Sequence, residues 1–160
     1  MDNQCLKHFP VTLFASVMGM TGLSIAYLRF AQWYGFAEII GMGLAVFSFA
    51  LFLAIGVTYA VKYIAYRDEV SKEFQHPIRA NFFPAISISL LLLAVVSLDF
   101  YRSFAQALWA TGALLQLIFT VIIISRWIAR SFEIAHSNPT WFIPVVGTII
   151  VPIAGVEFAD

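Results

Sequence analysis

The sequence predicts an all-α integral membrane protein, and three observations lead there. The 160 residues are 61% hydrophobic and 11% charged, with a mean hydropathy of +0.88; a soluble domain of this size needs far more polar surface. The apolar residues gather into five runs, at 11–30, 37–61, 80–98, 104–128 and 141–158. Each is near the roughly 20 helical residues that cross a ~30 Å hydrocarbon core. Pro84, Pro144 and Pro152 lie inside such runs, where a soluble helix breaks and a membrane helix is tolerated as a kink.

The first run has no small-residue cleavage pattern after it and reads as an uncleaved membrane helix. A short link at 29–35 joins it to the second run, and another at 99–103 joins the third to the fourth. Longer links at 62–79 and 126–138 separate these pairs. Alternating short and long links predict two and a half helical hairpins in a single membrane domain, 1–160. The fifth run opens with Asn138-Pro139, a capping side chain followed by a ring suited to the first helical position. Trp141 suits the level where lipid meets water.

Basic residues set the expected orientation. Lys7, Lys62, Arg67, Lys72, Arg79, Arg126 and Arg130 fall on one side and only Arg29 and Arg102 on the other. That bias predicts a cell-membrane protein with the N-terminus and both long links in the cytoplasm and the C-terminus outside. The run of Arg67, Asp68, Glu69, Lys72 and Glu73 reads as a solvated, ion-paired segment.

A repeated motif precedes the odd-numbered runs. Glu73-Phe74-Gln75-His76-Pro77 leads into the third, Glu133-Ile134-Ala135-His136-Ser137-Asn138-Pro139 into the fifth, and Lys7-His8-Phe9-Pro10, in reduced form, into the first. Hairpin repeats of this kind are common in transport proteins. Other classes find little support. Nine Lys and Arg form no basic patch with interleaved aromatics, so no nucleic-acid partner is expected. The single Cys5 has no ligand-spaced neighbours, and no catalytic constellation, metal motif or cofactor signature is present. His8, His76 and His136 occupy similar points before the odd runs; they read as a three-His metal or pH-sensing cluster or, more simply, as polar residues at helix starts.

The chain resembles the N-terminal half of the tellurite-resistance/dicarboxylate transporter family, which includes malic-acid transporters and plant slow anion channels. The resemblance is carried by Phe9-Pro10, then Val17-Met18-Gly19-Met20-Thr21-Gly22, then His76-Pro77-Ile78-Arg79. It continues with Asn138-Pro139-Thr140-Trp141-Phe142-Ile143-Pro144 and Gly147. It implies half of a ten-helix, quasi-fivefold pore whose odd helices line a central path, assembled as trimers; a separate C-terminal half is a further expected partner. The family's gating phenylalanine lies in its ninth helix and has no counterpart here.

In such a pore, polar groups that partly replace water without trapping an ion are needed. The candidates are Thr12, Ser16, Thr21 and Ser24 on the first helix, Asn81, Pro84, Ser87 and Ser89 on the third, and Pro144, Thr148 and Pro152 on the fifth. Thr12 and Ser16 share a face and Thr21 lies about half a turn away, so the first helix cannot present all four to one path. Pro144, Thr148 and Pro152 are spaced four and four and share a face. The competing reading of the hydroxyls is a bond to their own backbone or a neighbouring helix. Arg79 is the candidate at the cytoplasmic mouth, either drawing anions or anchoring a helix end at the headgroups. The small pairs Ala15/Gly19 and Gly41/Ala45 predict close helix packing. The functional expectation is transport of small anions, either monovalent anions or C4-dicarboxylates and tellurite-related oxyanions. The rival is a non-transporting helical module that assembles with a partner.

Overall fold

The structure, a computed structural model, describes residues 6–129 and 139–158. A 3-10 turn, Val11–Leu13, leads into helix α1 (Phe14–Tyr34), followed by α2 (Ile39–Ala65) and a short α3 (Arg67–Gln75). A second 3-10 turn, Arg79–Phe82, leads into α4 (Pro84–Ser97), which is followed by α5 (Arg102–Ala129). The turn Pro139–Trp141 opens α6 (Phe142–Gly155), and the 3-10 turn Val156–Phe158 is the last element described. Counting each turn with its helix, five segments are long and apolar enough to span a membrane: Val11–Tyr34, Ile39–Ala65, Arg79–Ser97, Arg102–Ala129 and Pro139–Phe158. Their ends differ from the sequence expectation by up to four residues.

Local chemistry explains the helix boundaries. Gly35 ends α1 at φ 72°, a left-handed conformation that favours glycine, and its N–H donates to the Ala31 carbonyl at 2.8 Å. Pro84 sits at the start of α4 and Pro144 within the first turn of α6, where a missing N–H interrupts no helical bond. Only Pro152 lies inside a described α-helix.

The helices form two hairpins, α1/α2 and α4/α5, with α6 against the second. Helix α4 is the centre: 78% of its span is buried, against 17–33% for the other four. It touches α1, α5 and α6 extensively and α2 less. Gly41 lets α2 close on α1, because a Cβ there would meet the Leu28 side chain at 2.6 Å. Ser24 donates to the Gly41 carbonyl at 2.8 Å across that contact. Gly41 and Ala45 are therefore packing residues, whereas Ala15 and Gly19 lie exposed on α1. At the N-terminal face, edge-on rings join four helices: Phe14 to Tyr59 at 6.0 Å, Tyr59 to Phe83 at 6.2 Å, and Phe74 to Phe83 at 4.8 Å.

The charged link 62–79 departs from expectation. It holds α3, whose Val70 and Glu73 are buried while Arg67, Asp68 and Lys72 face outward. The apolar Val70 joins the aromatic cluster, which draws one face of the segment out of water.

Candidate pore-side helices and their mouth

The start of α1 is held by a charged clasp reaching back from α3. Glu73 accepts the Val11 N–H at 2.9 Å and the Tyr59 hydroxyl at 3.1 Å. It also pairs with Lys62 at 2.8 Å, and both of these side chains are only 4% exposed. Lys62 donates in addition to the Phe9 carbonyl at 2.7 Å. A helix start leaves backbone N–H groups unpaired and carries positive partial charge, so a carboxylate is the fitting partner.

The starts of the other odd spans lie on this same face. His76 Nδ1 accepts the backbone N–H groups of Ile78 and Arg79 at 3.3 and 3.4 Å. It therefore shapes the turn before α4 rather than standing free. His136, Glu133 and Asn138 lie outside the described residues. Asn81 donates to the Pro77 carbonyl at 3.2 Å and to the Thr140 hydroxyl at 3.4 Å, tying the third span's start to the fifth's. Trp141 stacks on Trp127 of α5 at 5.4 Å. Beside the starts of the first and third spans opens a polar cavity of about 320 Å3, lined by Lys7, His8, Pro10, Thr12, Lys62, Glu69, Glu73 and Arg79. The Arg79 guanidinium is exposed and makes no ion pair among the described residues.

Deeper in the bundle, α5 holds α6 by neutral donors. Gln116, fully buried, donates from Nε2 to the Pro144 carbonyl at 2.8 Å and to Thr120 Oγ1 at 3.1 Å, while its Oε1 accepts from Ser87 at 2.6 Å. Two turns along, Trp109 Nε1 donates to the Val151 carbonyl at 2.8 Å. Two glycines make room. A Cβ on Gly147 would run into the Gln116 amide, and one on Gly155 would sit 3.0 Å from the Trp109 ring.

The sequence-derived pore candidates divide by burial. Thr21, Ser24, Asn81, Pro84, Ser87, Ser89 and Pro144 are buried among this chain's own helices. Thr21 donates to Val17 O at 2.8 Å, Ser87 to Pro84 O at 2.8 Å, and Ser89 to Ala85 O at 2.6 Å. Within this chain these seven face its own helices. The cause for the four on the third span is the central position of α4, whose circumference is already occupied; hydroxyls in such a place bond backbone or neighbours. Ser16, Thr148 and Pro152 are exposed, and Thr12 is half-buried against the polar cavity. Thus α1 and α6, flanking α4, keep the exposed candidate positions, where Ser16 and Thr148 donate to the Leu13 and Val145 carbonyls.

The sequence profile of the voltage-dependent anion channel family matches residues 8–160. The chain belongs to this family. It is 29% identical over 153 residues to an uncharacterized transporter of Methanocaldococcus jannaschii, covering 94% of this chain and 44% of that protein. It is 31% identical over 160 residues to the S-type anion channel SLAH3 of Arabidopsis thaliana, covering 94% and 25%. It is 25% identical over 138 residues to a tellurite resistance protein TehA homolog of Haemophilus influenzae, covering 86% and 42%. The chain thus spans less than half the length of these relatives. Its five apolar spans and these relatives make it a membrane protein of a channel and transporter family.

Sequence reasoning missed Gln116, Thr120 and Trp109. Gln116 and Thr120 are four apart in an apolar run, a polar pair on one helical face that marks a buried contact. Gly147 and Gly155, eight apart, are the complementary signal on α6.

Proposed function

We propose that the chain forms the N-terminal wall of a membrane pore for small anions, with the exposed faces of α1 and α6 toward the path, α4 packed between them, and α2 and α5 outside. The observation that carries this reading is the mouth: the starts of the first and third spans meet at a polar cavity with the unpaired Arg79 on its rim, and Asn81 ties the fifth start to the third. Glu73 already occupies the start of α1; a helix start left open offers a nearby anion roughly 0.3–1 kcal/mol at low salt. The bias of basic residues supports placing this mouth in the cytoplasm and the C-terminus outside.

The exposed positions favour a passive conduit. The exposed hydroxyls of Ser16 and Thr148 donate to their own helix backbone, at Leu13 O and Val145 O, both 2.6 Å, and leave only weak acceptor contacts beside the apolar Pro152 ring. No carboxylate or amine lies near the middle of a described span to act as an ion-coupling site. The relatives' names point to anions and to tellurite resistance; monovalent anions, C4-dicarboxylates and tellurite-related oxyanions are the substrate classes proposed from the family resemblance. The uncovered faces of α1 and α6 fit a C-terminal half supplied separately and, in the family's manner, a trimer. They equally favour a second reading, a helical module that assembles without conducting.

Reconstitution separates the two. The chain is placed in liposomes alone and with the C-terminal half of a relative, and chloride, nitrate and malate fluxes are followed. Flux that appears with the second half supports the pore. Assembly without flux in either preparation supports the module and removes the pore reading.

A further inference from the structure

The outer helices α2 and α5 lean on opposite sides of α4 and leave a furrow between them. Its half nearer α3 is a hollow of about 380 Å3. The furrow is walled by Phe52, Gly56, Ala60 and Tyr63 of α2 and by Phe119 of α5, and floored by Ile86 of α4. From Phe52 to Tyr63 the helix rises about 16 Å, half of a ~30 Å hydrocarbon core, so the hollow has the depth of one leaflet. A Cβ on Gly56 would meet nothing within 4 Å, so the furrow is open there.

The end of the furrow at α3 carries a charge that the chain does not neutralise. The Arg67 guanidinium lies 5.5 Å from the centre of the Tyr63 ring and makes no ion pair among the described residues. Two neighbouring carboxylates are committed elsewhere: Glu69 faces Lys72 and Lys7, and Glu73 is buried with Lys62; Asp68, next in the chain, makes no ion pair with Arg67. On the α5 side Arg126 donates to the Phe74 carbonyl at 2.7 Å, its guanidinium 4.7 Å from the Phe74 ring. A carbon-lined slot of one-leaflet depth, ending in an arginine over a tyrosine at the membrane interface, has the chemistry of a lipid with an anionic headgroup.

We propose that this furrow is a binding site for an anionic phospholipid, with an acyl chain along Gly56 and Ala60 and the phosphate on Arg67. The site is separate from the anion mouth and independent of whether the chain conducts.

The full chain in nanodiscs of mixed phosphatidylglycerol and phosphatidylcholine, released gently and weighed by native mass spectrometry, tests this. The expected result is retained phosphatidylglycerol, reduced about fivefold by Arg67→Gln, the worth of one arginine near an anionic lipid. Gly56→Leu, whose Cβ meets nothing within 4 Å, puts a side chain into the slot and is expected to lose bound lipid of either kind. Equal retention of both lipids by the parent chain and Arg67→Gln would overturn the proposal. So would an Ala60→Cys variant that cross-links efficiently to a second copy, because the furrow would then be a protein interface.

Discussion

Two contacts hold the flanking helices α1 and α6 in place, and they use opposite chemistry. At the N-terminal face a carboxylate and an amine, Glu73 and Lys62, secure the start of α1. Within the bundle an amide and an indole, Gln116 and Trp109, secure α6. The backbone group to be satisfied explains part of the difference. A helix start offers unpaired N–H groups and takes an acceptor, whereas carbonyls within a helix take a donor. Depth explains the rest. A charge pair near the interface reaches water and headgroups when it opens, while a charge deep in hydrocarbon has no such refuge and neutral donors are the cheaper choice.

The largest effect should come from unpairing the charged clasp. Glu73→Ala leaves Lys62 buried without a partner and the Val11 N–H without an acceptor, and should cost about 3–5 kcal/mol. Denaturant titration in detergent micelles measures it. If the pair serves chiefly to avoid a lone charge, the double variant Lys62→Met, Glu73→Leu should recover most of that loss; continued instability would show that the carboxylate at the helix start matters in its own right.

The neutral seam should respond to volume instead of charge. Gly147→Ala drives a methyl into the Gln116 amide, at a cost of about 1–3 kcal/mol. Adding Gln116→Ala should give back part of that cost, and a double-mutant cycle reads the coupling. Additive losses would mean that the glycine and the amide are not in contact in the membrane. Arg79→Gln should leave both contacts, and therefore stability and insertion, unchanged while lowering anion flux through a reconstituted pore. Undiminished flux would confine Arg79 to anchoring.

The smallest effect belongs to the exposed ion pairs of α3. The hydrogen bond from Lys72 holds the Glu69 carboxyl below its usual range, and Glu69 raises Lys72 above its own. The contribution of Glu69 is therefore present above the ordinary carboxylate range and fades as pH falls through its lowered value. That of Lys72 is present at neutral pH and fades as pH rises through its raised one. Both should be small and weakened by salt. A melting temperature that moves as strongly with acid in 1 M salt as in dilute buffer would overturn this assignment.

The spans and their hairpin order were legible because each rests on local composition, and a run of about 20 apolar residues needs no partner to be recognised. Glu73 was not legible. In sequence it sits in a polar, charged run, and its burial depends on Val11 and Tyr59, 62 and 14 residues away. The hydroxyls of α4 were recognised as polar positions in a membrane helix, but their direction depends on which span is central. That in turn follows from α1, α5 and α6 all packing on α4, which no helical wheel of α4 alone contains. Ser16 and Thr148 remain on free faces because the helices carrying them are the flanks.

The clasp also bears on how the protein is made. The acceptor for the Val11 N–H is supplied 62 residues later, so at roughly 5–20 residues per second the ribosome delivers it about 3–12 s after the first span emerges. Through that interval α1 and α2 enter the membrane as a hairpin whose leading end is unsecured and whose Lys62 awaits its counter-charge. The register of the first span is therefore set by the arrival of the second hairpin's leading segment. A nascent chain arrested before Glu73 should show the start of α1 open to water-borne labels, and one arrested after α4 should show it closed.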